Sequence, residues 1–361
     1  MAPRQQTPLA EALAARIARD GPISVRDYME ACLHDPEHGY YRTRRAIGAK
    51  EDFVTAPEIS QVFGELIGLW AAVVWQQMGA PARVRLVELG PGRGTLMADA
   101  LRAARKAPGF ASALDVVLVE PNDALQTVQR QTLSAQTAPM RWVSDIADVD
   151  AADGDATILI ANEVLDVLPV TQLQRTENGW AERGVGINDA GGLAFGVTSA
   201  AVPPQPSSAA KVGEIIEQRD TSHFADNLRR LADAAPLAAL FIDYGYEGPA
   251  VGDTLQAILA QRYEDPLASP GIADLTAHVD FKAFAADIHT RGLAVDGPVP
   301  QAVFLGALGI VERTSRLMAA NPEAAPRLEA ATARLTAPTG MGTLFKAIGV
   351  RSKGLPPLPG L

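Results

Sequence analysis

Residues 84–97, which read VRLVELGPGRGTLM, constrain the fold of this chain more than any other segment. An apolar run carrying the carboxylate Glu88 leads into Gly90, Gly92 and Gly94, and Thr95 then opens an apolar-periodic helix. Glycine permits positive φ and a close approach of the main chain to a ligand, while the free N–H groups of a first helical turn face the same crevice. The segment therefore predicts a strand, a tight turn and a helix N-terminus that bind a nucleotide-like ligand.

The charge around this turn distinguishes between nucleotide ligands. A dinucleotide site has the spacing G-x-G-x-x-G and accepts an anionic pyrophosphate, whereas the spacing here is G-x-G-x-G and Glu88 lies two residues before the first glycine. A buried carboxylate repels a pyrophosphate but suits an ammonium and a sulfonium, both of which S-adenosylmethionine carries. The next strand, 116–119, ends in Glu120, where an acid can bind two ribose hydroxyls. The alternative is a tight turn with two surface carboxylates.

Composition excludes several classes of protein. The chain has 361 residues, 47% of them hydrophobic, and no apolar run long enough to span a bilayer, which predicts a globular protein without membrane insertion. A net charge of -10 makes a nucleic acid an unsuitable partner but leaves a basic target attractive. Cys32 is the only cysteine, and the five histidines show no paired metal spacing, so no metal site is expected.

The pattern of apolar residues predicts an α/β fold with a mostly parallel sheet. Residues 1–80 read as a helical region or lid, in which Thr55 to Glu58 resemble a capping box at the start of a helix. Residues 81–361 read as the main domain, with strands expected at 84–88, 115–119, 140–143, 157–161 and 237–243. An insertion is expected at about 170–235. It would contain antiparallel strands with turns at Asn178-Gly179 and Gly191-Gly192, a linker at 202–208 and a helix at 209–235.

Polar residues follow three of the predicted strands, at the sheet edge where ligands bind in such folds. Asp145 and Ile146 follow the third strand and are candidates to contact an adenine. The fourth strand runs ILIANEVLDVLP, which places Asn162 beside the cofactor and Glu163 and Asp166 in the crevice. The fifth strand ends in Asp243. The loop 48–55 has few apolar residues and is a candidate lid.

Methyl transfer from a sulfonium is an in-line displacement that needs positioning and, for a protonated nucleophile, a carboxylate. Glu163 is the leading candidate, and Asp166 would lie one turn away if Asn162 caps a helix. Two such carboxylates can hold a guanidinium fork, and Asp243 is the third catalytic candidate. The alternatives are a plain helix cap for Asn162 and a solvated helix face for Asp166.

Several of these segments together resemble the MidA-like family of S-adenosylmethionine-dependent methyltransferases, which includes the mitochondrial complex I assembly-factor arginine methyltransferases. The resemblance rests on DYMEACLHDPEHGYY, DFVTAPEISQVFGELIGLW, VELGPGRGTLMADALR, ANEVLDVLPV, FIDYGY and TAHVDF, and it spans most of the chain. It implies a class I, Rossmann-like methyltransferase core with an N-terminal helical region and an insertion. It also implies that Gly90, Gly92, Gly94 and Glu120 surround S-adenosylmethionine.

The resemblance further implies a protein substrate with an exposed arginine, which for mitochondrial members is a complex I subunit. A bacterial source would place the protein in the cytoplasm, and eukaryotic relatives in the mitochondrial matrix. Two departures from the family pattern bear on a lid turn and on the substrate pocket: Glu51 replaces a glycine, and Val164-Leu165 replace an aromatic pair. The alternatives are a methyltransferase for small molecules and an assembly factor that binds S-adenosylmethionine without turnover. A dehydrogenase is opposed by the glycine spacing and Glu88.

Overall fold

The computed structural model describes residues 7–43, 55–151, 154–198 and 210–361. Its chain divides into two units. The N-terminal unit comprises Met1–Phe53, Leu165–Asp220 and Gly248–Asp280, and the large-sheet unit comprises Val54–Val164, Thr221–Glu247 and Phe281–Leu361. Apart from Thr55, the candidate lid loop lies outside the described residues, as do Glu51 and the linker at 202–208.

The strand that carries Glu88 lies inside the sheet of the large-sheet unit. Seven strands of this unit follow one another across the sheet: Ala294–Pro300, Phe345–Arg351, Leu237–Tyr246, Ala156–Asn162, Val84–Leu89, Leu114–Val119 and Met140–Val143. The last five pair in parallel, and Phe345–Arg351 is antiparallel to both of its neighbours. The predicted α/β class with a mostly parallel sheet is confirmed.

The register of these strands brings their carboxyl ends to one edge of the sheet. Leu89 pairs with Val119 on one side and with Ala161 on the other, and Asn162 pairs with Ile242. Because parallel strands end together, the polar residues that follow them converge at this edge. The strand ends chosen from the sequence are therefore neighbours in the structure.

Ten helices of this unit lie among the described residues: Ala56–Ile59, Gln61–Gln77, Thr95–Ala104, Phe110–Ala113, Asp123–Thr132, Ser222–Ala234, Phe281–Thr290, Gln301–Ala307, Ile310–Ala320 and Ala325–Thr336. Two short 3₁₀ turns, Ile146–Asp148 and Pro322–Ala324, accompany them. The helices and the sheet bury one large apolar cluster that includes Trp70, Phe63 and Phe304. This core holds the strands that end at the site.

Helix Gln61–Gln77 packs directly on helix Thr95–Ala104, which starts at the glycine turn. A Cβ added at Gly68 would lie 2.6 Å from the Cα of Ala100, and one at Gly64 would lie 2.6 Å from the Cβ of Asp99. This close packing joins helix Gln61–Gln77 to the large-sheet unit. The boundary between units therefore differs from the predicted division at residue 80.

The N-terminal unit has its own apolar core. Its helices are Pro8–Asp20, Val25–His34 and Tyr40–Thr43, and its strands are Ile23–Ser24, Val170–Thr176, Gly179–Ile187, Leu193–Val197, Ile215–Arg219, Gln256–Leu259, Arg262–Glu264, Asp274–Thr276 and Val279–Asp280. The core includes the fully buried Tyr28 and Met29. Both predicted hairpins are present, because Thr176 pairs with Gly179 and Ile187 pairs with Leu193. The first turn consists of residues 177 and 178, one residue before the predicted pair.

Two predictions of local structure are wrong. The segment predicted as one helix at 209–235 contains the strand Ile215–Arg219 and then the shorter helix Ser222–Ala234. Pairing with Val170–Thr176 buries Ile215 and Ile216, which outweighs the helical tendency of the segment. Thr55 makes no capping hydrogen bond with its side chain; instead Ser60 breaks the segment and accepts a hydrogen bond from Val62 N at 3.2 Å.

Candidate functional site

The glycine turn, residues 90–94, has the predicted strand–turn–helix geometry. Gly90, Gly92 and Gly94 have φ of 57°, 53° and 82°, in the left-handed region that favours glycine. A Cβ added at Gly92 would meet no atom within 4 Å, whereas one at Gly90 would lie 3.3 Å from Val164 Cγ2. The main chain at Gly92 thus borders open space that a ligand can enter.

Glu88 is a buried carboxyl at this turn. It is 3% exposed, and its Oε2 has no hydrogen-bond partner among the residues that the structure describes. Burial raises the pKa of Glu88 to about 8. A cationic ligand beside this oxygen would compensate the buried charge, so the group fits an ammonium.

Glu120 follows the neighbouring strand and is also buried. Its Oε1 accepts a hydrogen bond from Asn122 N at 2.9 Å, and its Oε2 accepts one from Gln129 Nε2 at 3.1 Å. Burial raises the pKa of Glu120, while these two donors oppose the rise. The carboxylate therefore has a fixed direction with acceptor capacity left on both oxygens.

The next strand end carries Asp145 and Ile146. Asp145 Oδ1 accepts a hydrogen bond from Ala147 N at 2.7 Å and lies 2.9 Å from His223 Nε2. Ile146 is buried, and its carbonyl accepts a hydrogen bond from Arg230. These contacts fix the turn Ile146–Asp148, and contact of Asp145 with an adenine stays a prediction.

Glu163 has a strained backbone at the end of strand Ala156–Asn162. Its φ is 55°, which is uncommon for a residue with a Cβ and recurs at functional sites. Its Oε1 accepts hydrogen bonds from Asn162 Nδ2 at 3.0 Å and from Ala56 N at 3.4 Å. Asn162 Oδ1 is buried and lacks a hydrogen-bond partner within the described ranges. This oxygen can accept a donor from a ligand.

Asp243 holds the backbone next to Glu163. Its Oδ2 accepts a hydrogen bond from Val164 N at 3.2 Å, and its Oδ1 accepts one from Tyr244 N at 2.8 Å. The side chain is 1% exposed. Both oxygens therefore serve the main chain, which suits a positioning role better than direct contact with a substrate.

Asp166 lies in the N-terminal unit, beyond the boundary at Leu165. No helix follows Asn162, so the expected placement of Asp166 one helical turn from Glu163 is wrong. The left-handed backbone of Glu163 ends the regular pattern there, and the next element is the strand Val170–Thr176. The Asp166 carbonyl accepts hydrogen bonds from Ala277 N and Arg219 Nη2.

The structure thus brings Glu88, Glu120, Asn162, Glu163 and Asp243 to one edge of the large sheet. Sequence reasoning missed two residues that shape this edge, Asn122 and Gln129. Asn122 Oδ1 caps helix Asp123–Thr132 by accepting from Ala124 N and Leu125 N. An Asn just before a helix is a recognisable sign, whereas a glutamine inside a helix carries none.

The described residues contain no group of three His, Cys, Asp or Glu side chains arranged to hold a metal ion. In the described part of the chain, no helix has the length and apolar character needed to cross a membrane. The unpartnered oxygens of Glu88 and Asn162 fit a ligand that carries an ammonium, and the open space at Gly92 lets such a ligand approach the main chain.

Comparison with known proteins gives a consistent result. Residues 66–299 match the model of a family described as S-adenosyl-L-methionine-dependent methyltransferases. A Drosophila melanogaster protein, named a mitochondrial protein arginine methyltransferase NDUFAF7 homolog, is 34% identical over 95% of this chain and 84% of its own length. The Homo sapiens protein arginine methyltransferase NDUFAF7, also mitochondrial, is 33% identical over 86% of this chain and 76% of its own.

A solved structure shows the same fold. It is that of a superfamily member from Burkholderia thailandensis bound to S-adenosyl-homocysteine, and it has a TM-score of 0.84 at 30% identity. The match covers 98% of this chain and 93% of that chain. The expected Rossmann-like methyltransferase fold is confirmed.

Proposed function

The chain belongs to this family of S-adenosyl-L-methionine-dependent methyltransferases, as its motifs predict, and from that premise we propose that it methylates an arginine of a protein substrate. The observation that carries the proposal is the 34% identity to relatives named protein arginine methyltransferases, which extends over 94–95% of this chain. The net charge of -10 supports a basic acceptor.

The cofactor site of this proposal is built from the large-sheet unit. The buried oxygens of Glu88 and Asn162 receive the ammonium of the methionine moiety, directly or through water, and the glycine turn lets the ligand approach the main chain. Glu120 binds the ribose hydroxyls, and Asp145 and Ile146 lie beside the adenine. When bound, the cofactor supplies an electrophilic methyl group on sulfur.

Glu163 is the proposed acceptor for the proton. With the cofactor bound, its sulfonium would supply the methyl group and keep the bonding electron pair, and the attacking nitrogen would release its proton to the Glu163 carboxylate. Glu163 is held in one direction by Asn162 and Ala56, and its strained backbone is fixed through Asp243. Asp166 stays a separate candidate for binding the guanidinium.

The substrate and compartment are part of the same proposal. We take a respiratory complex I subunit, or its bacterial equivalent, as the first acceptor to test, because the family resemblance implies it. The relatives are named as mitochondrial proteins, and the corresponding compartment of a bacterial cell is the cytoplasm. The single cysteine suits such a reducing compartment.

The test separates cofactor binding from methyl transfer. Calorimetry with S-adenosylmethionine, and NADH in a parallel titration, should give binding of the former alone. Incubation with lysate proteins from the source cell and labelled cofactor, followed by mass spectrometry, should give methylated arginine in a protein. Label only in small molecules would replace the proposal by a small-molecule methyltransferase, and binding without any label would replace it by an assembly factor.

Variants assign the roles. Glu163→Gln should keep cofactor affinity within about twofold and lower the transfer rate by at least about a hundredfold, whereas Gly92→Val should abolish cofactor binding because its side chain fills the ligand space. Glu177→Gln, an exposed carboxylate of the N-terminal unit, is the matched control and should change neither. Normal turnover by Glu163→Gln would refute the role of Glu163, and normal affinity of Gly92→Val would refute the site.

A further inference from the structure

Gln129 connects two parts of the cofactor edge through a single side chain. It lies on helix Asp123–Thr132 and is fully buried. Its Nε2 donates hydrogen bonds to the carbonyl oxygen of Gly92 at 2.8 Å and to Glu120 Oε2 at 3.1 Å. Its Oε1 accepts a hydrogen bond from Trp142 Nε1 at 2.8 Å. The side-chain amide of Gln129 thus links the glycine turn, the carboxylate of Glu120 and the strand Met140–Val143.

The three hydrogen bonds allow only one orientation of this amide. Trp142 can only donate, so it fixes the oxygen of Gln129 on its side. The –NH₂ group then points to the carbonyl oxygen of Gly92 and to Oε2 of Glu120, and both oxygens accept a hydrogen bond from it. Because a buried amide with an unmet hydrogen bond is costly, each partner holds the others in place.

Packing reinforces this arrangement. A Cβ added at Gly94 would lie 3.6 Å from the Cα and the Cγ of Gln129 and 3.6 Å from Leu133 Cδ1. The glycine turn therefore rests on helix Asp123–Thr132 at the position of Gln129. A movement of this helix would displace the turn and Glu120 together.

We propose that Gln129 is a positioning residue of the cofactor site, which holds the Glu120 carboxylate ready for the ribose hydroxyls and fixes it relative to the glycine turn. The inference rests on the proposed role of Glu120 in binding the ribose. Asn122 N occupies one lone pair of Oε1 and Gln129 occupies one of Oε2, so each oxygen keeps acceptor capacity for one hydroxyl. Preorganisation of this kind saves the free energy of ordering the carboxylate on binding.

The test measures affinity for two ligands by calorimetry. The first is S-adenosyl-homocysteine, and the second is its 2′,3′-dideoxy analogue, which lacks the ribose hydroxyls. Gln129→Met, which keeps the side-chain length and removes the amide, should weaken binding of the first about tenfold and leave binding of the second within about twofold. In the background Glu120→Ala, the same substitution should have little further effect. Gln131→Met, at an exposed position of the same helical region, is the matched control and should bind both ligands normally.

The outcomes distinguish the two levels of the proposal. If the unmodified protein binds both ligands equally, the role of Glu120 itself is refuted. If it prefers S-adenosyl-homocysteine but Gln129→Met weakens both ligands equally, or adds its full effect to that of Glu120→Ala, Gln129 is only a structural residue. Should Gln129→Met fail to fold, Trp142→Phe removes the donor that fixes the amide and keeps a smaller aromatic ring in the place that packs beside Arg130. It should give a smaller loss, again confined to the ligand with hydroxyls, and an equal loss for both ligands would overturn the inference.

Discussion

At the scale of single residues, the site contains two unfavourable features, a strained backbone and a buried carboxyl, which the surrounding contacts must stabilise. Glu163 adopts a left-handed backbone, and Glu88 is a carboxyl buried without a hydrogen bond to one of its oxygens among the described residues. Each of these features has a free-energy cost of order 1 kcal/mol or more. A ligand that fills the site can offset the cost at Glu88, which links stability to binding.

The titration of Glu88 gives the first prediction. Its pKa in the folded protein is about 8, raised from 4.5 by burial, so the folded state holds the proton more tightly than the unfolded state. Stability from this group is therefore complete below the unfolded pKa and is lost as the pH rises toward 8. Without cofactor, the free energy of unfolding should fall between about pH 5.5 and about pH 7.5 by about 2–3 kcal/mol more than in Glu88→Gln.

Urea denaturation of both proteins at the two pH values measures this difference. Comparing the pH dependence of each protein cancels the constant effect of the substitution and the contributions of other groups. Equal pH dependence in the two proteins would show that Glu88 does not carry a raised pKa.

At the scale of elements, the helix that follows the glycine turn is fixed by its packing against helix Gln61–Gln77. Helix Gln61–Gln77 approaches helix Thr95–Ala104 so closely that Gly64 and Gly68 have no room for a side chain. Glu65 adds ion pairs to Arg102 at 3.1 Å and to Arg313 at 2.6 Å. Helix Thr95–Ala104, which begins at the glycine turn, is thereby fixed along its length by helix Gln61–Gln77.

Substitution at Gly68 tests this packing. Gly68→Ala places a methyl group 2.6 Å from the Cα of Ala100 and against its carbonyl oxygen, so the two helices must separate. We expect a loss of about 2–4 kcal/mol in the free energy of unfolding and weaker cofactor binding. The control is Gly306→Ala, in helix Gln301–Ala307, where an added Cβ meets nothing within 4 Å.

In that control, the higher helix propensity of alanine should raise stability by up to about 1 kcal/mol. Thermal or denaturant unfolding measures both variants. Equal effects of the two substitutions would contradict the close approach of the helices.

In the N-terminal unit, the side chain of Arg219 fixes the main chain of the loop that carries Asp166. Its guanidinium donates to the carbonyl oxygens of Leu168 at 3.0 Å, His278 at 3.0 Å, Asp166 at 3.2 Å and Ala277 at 2.8 Å. One cation therefore satisfies four carbonyl groups from two loops. It fixes the main chain on which any role of Asp166 depends.

Replacing Arg219 should destabilise this unit strongly. Arg219→Met removes charge-assisted hydrogen bonds to four carbonyls, and we expect a loss of about 3 kcal/mol. Arg26→Met, which removes an exposed ion pair with Asp220 at 3.6 Å, should cost about 0.5 kcal/mol or less. Hydrogen exchange at residues 277 and 278 should rise only in the first variant. Unchanged exchange there would show that Arg219 does not hold these loops.

At the scale of the whole molecule, charge is the property that bears on the acceptor. The net charge of -10 attracts a basic peptide over distances comparable with the Debye length. With an arginine-containing basic peptide, kcat/KM should fall several-fold as the salt concentration rises from about 0.05 to about 0.3 M, while kcat stays nearly constant. A peptide with the same arginine and acidic flanks is the control and should show no fall. A fall in kcat alone would indicate an effect on the catalytic step instead.

The sequence predicted much of the large-sheet unit because its signals are local. Alternating apolar runs and glycine spacing give the strand, turn and helix around Glu88, and a parallel sheet necessarily aligns its strand ends. The residues after those ends, such as Glu120 and Glu163, therefore followed from the order of elements. These residues, together with the longer sequence motifs, were enough to identify both the cofactor and the protein family.

Only the tertiary structure decided the features that depend on contacts between distant segments. The strand Ile215–Arg219 forms because pairing with Val170–Thr176 buries its two isoleucines. The helix propensity of the segment contains no information about this distant partner. The left-handed backbone of Glu163 removed the helix that would have placed Asp166 beside it. The bonds of Gln129 to Gly92 and Glu120 join residues 37 and 9 positions away, and a sequence pattern carries no sign of them. Such contacts arise because packing brings together groups that the local sequence leaves apart.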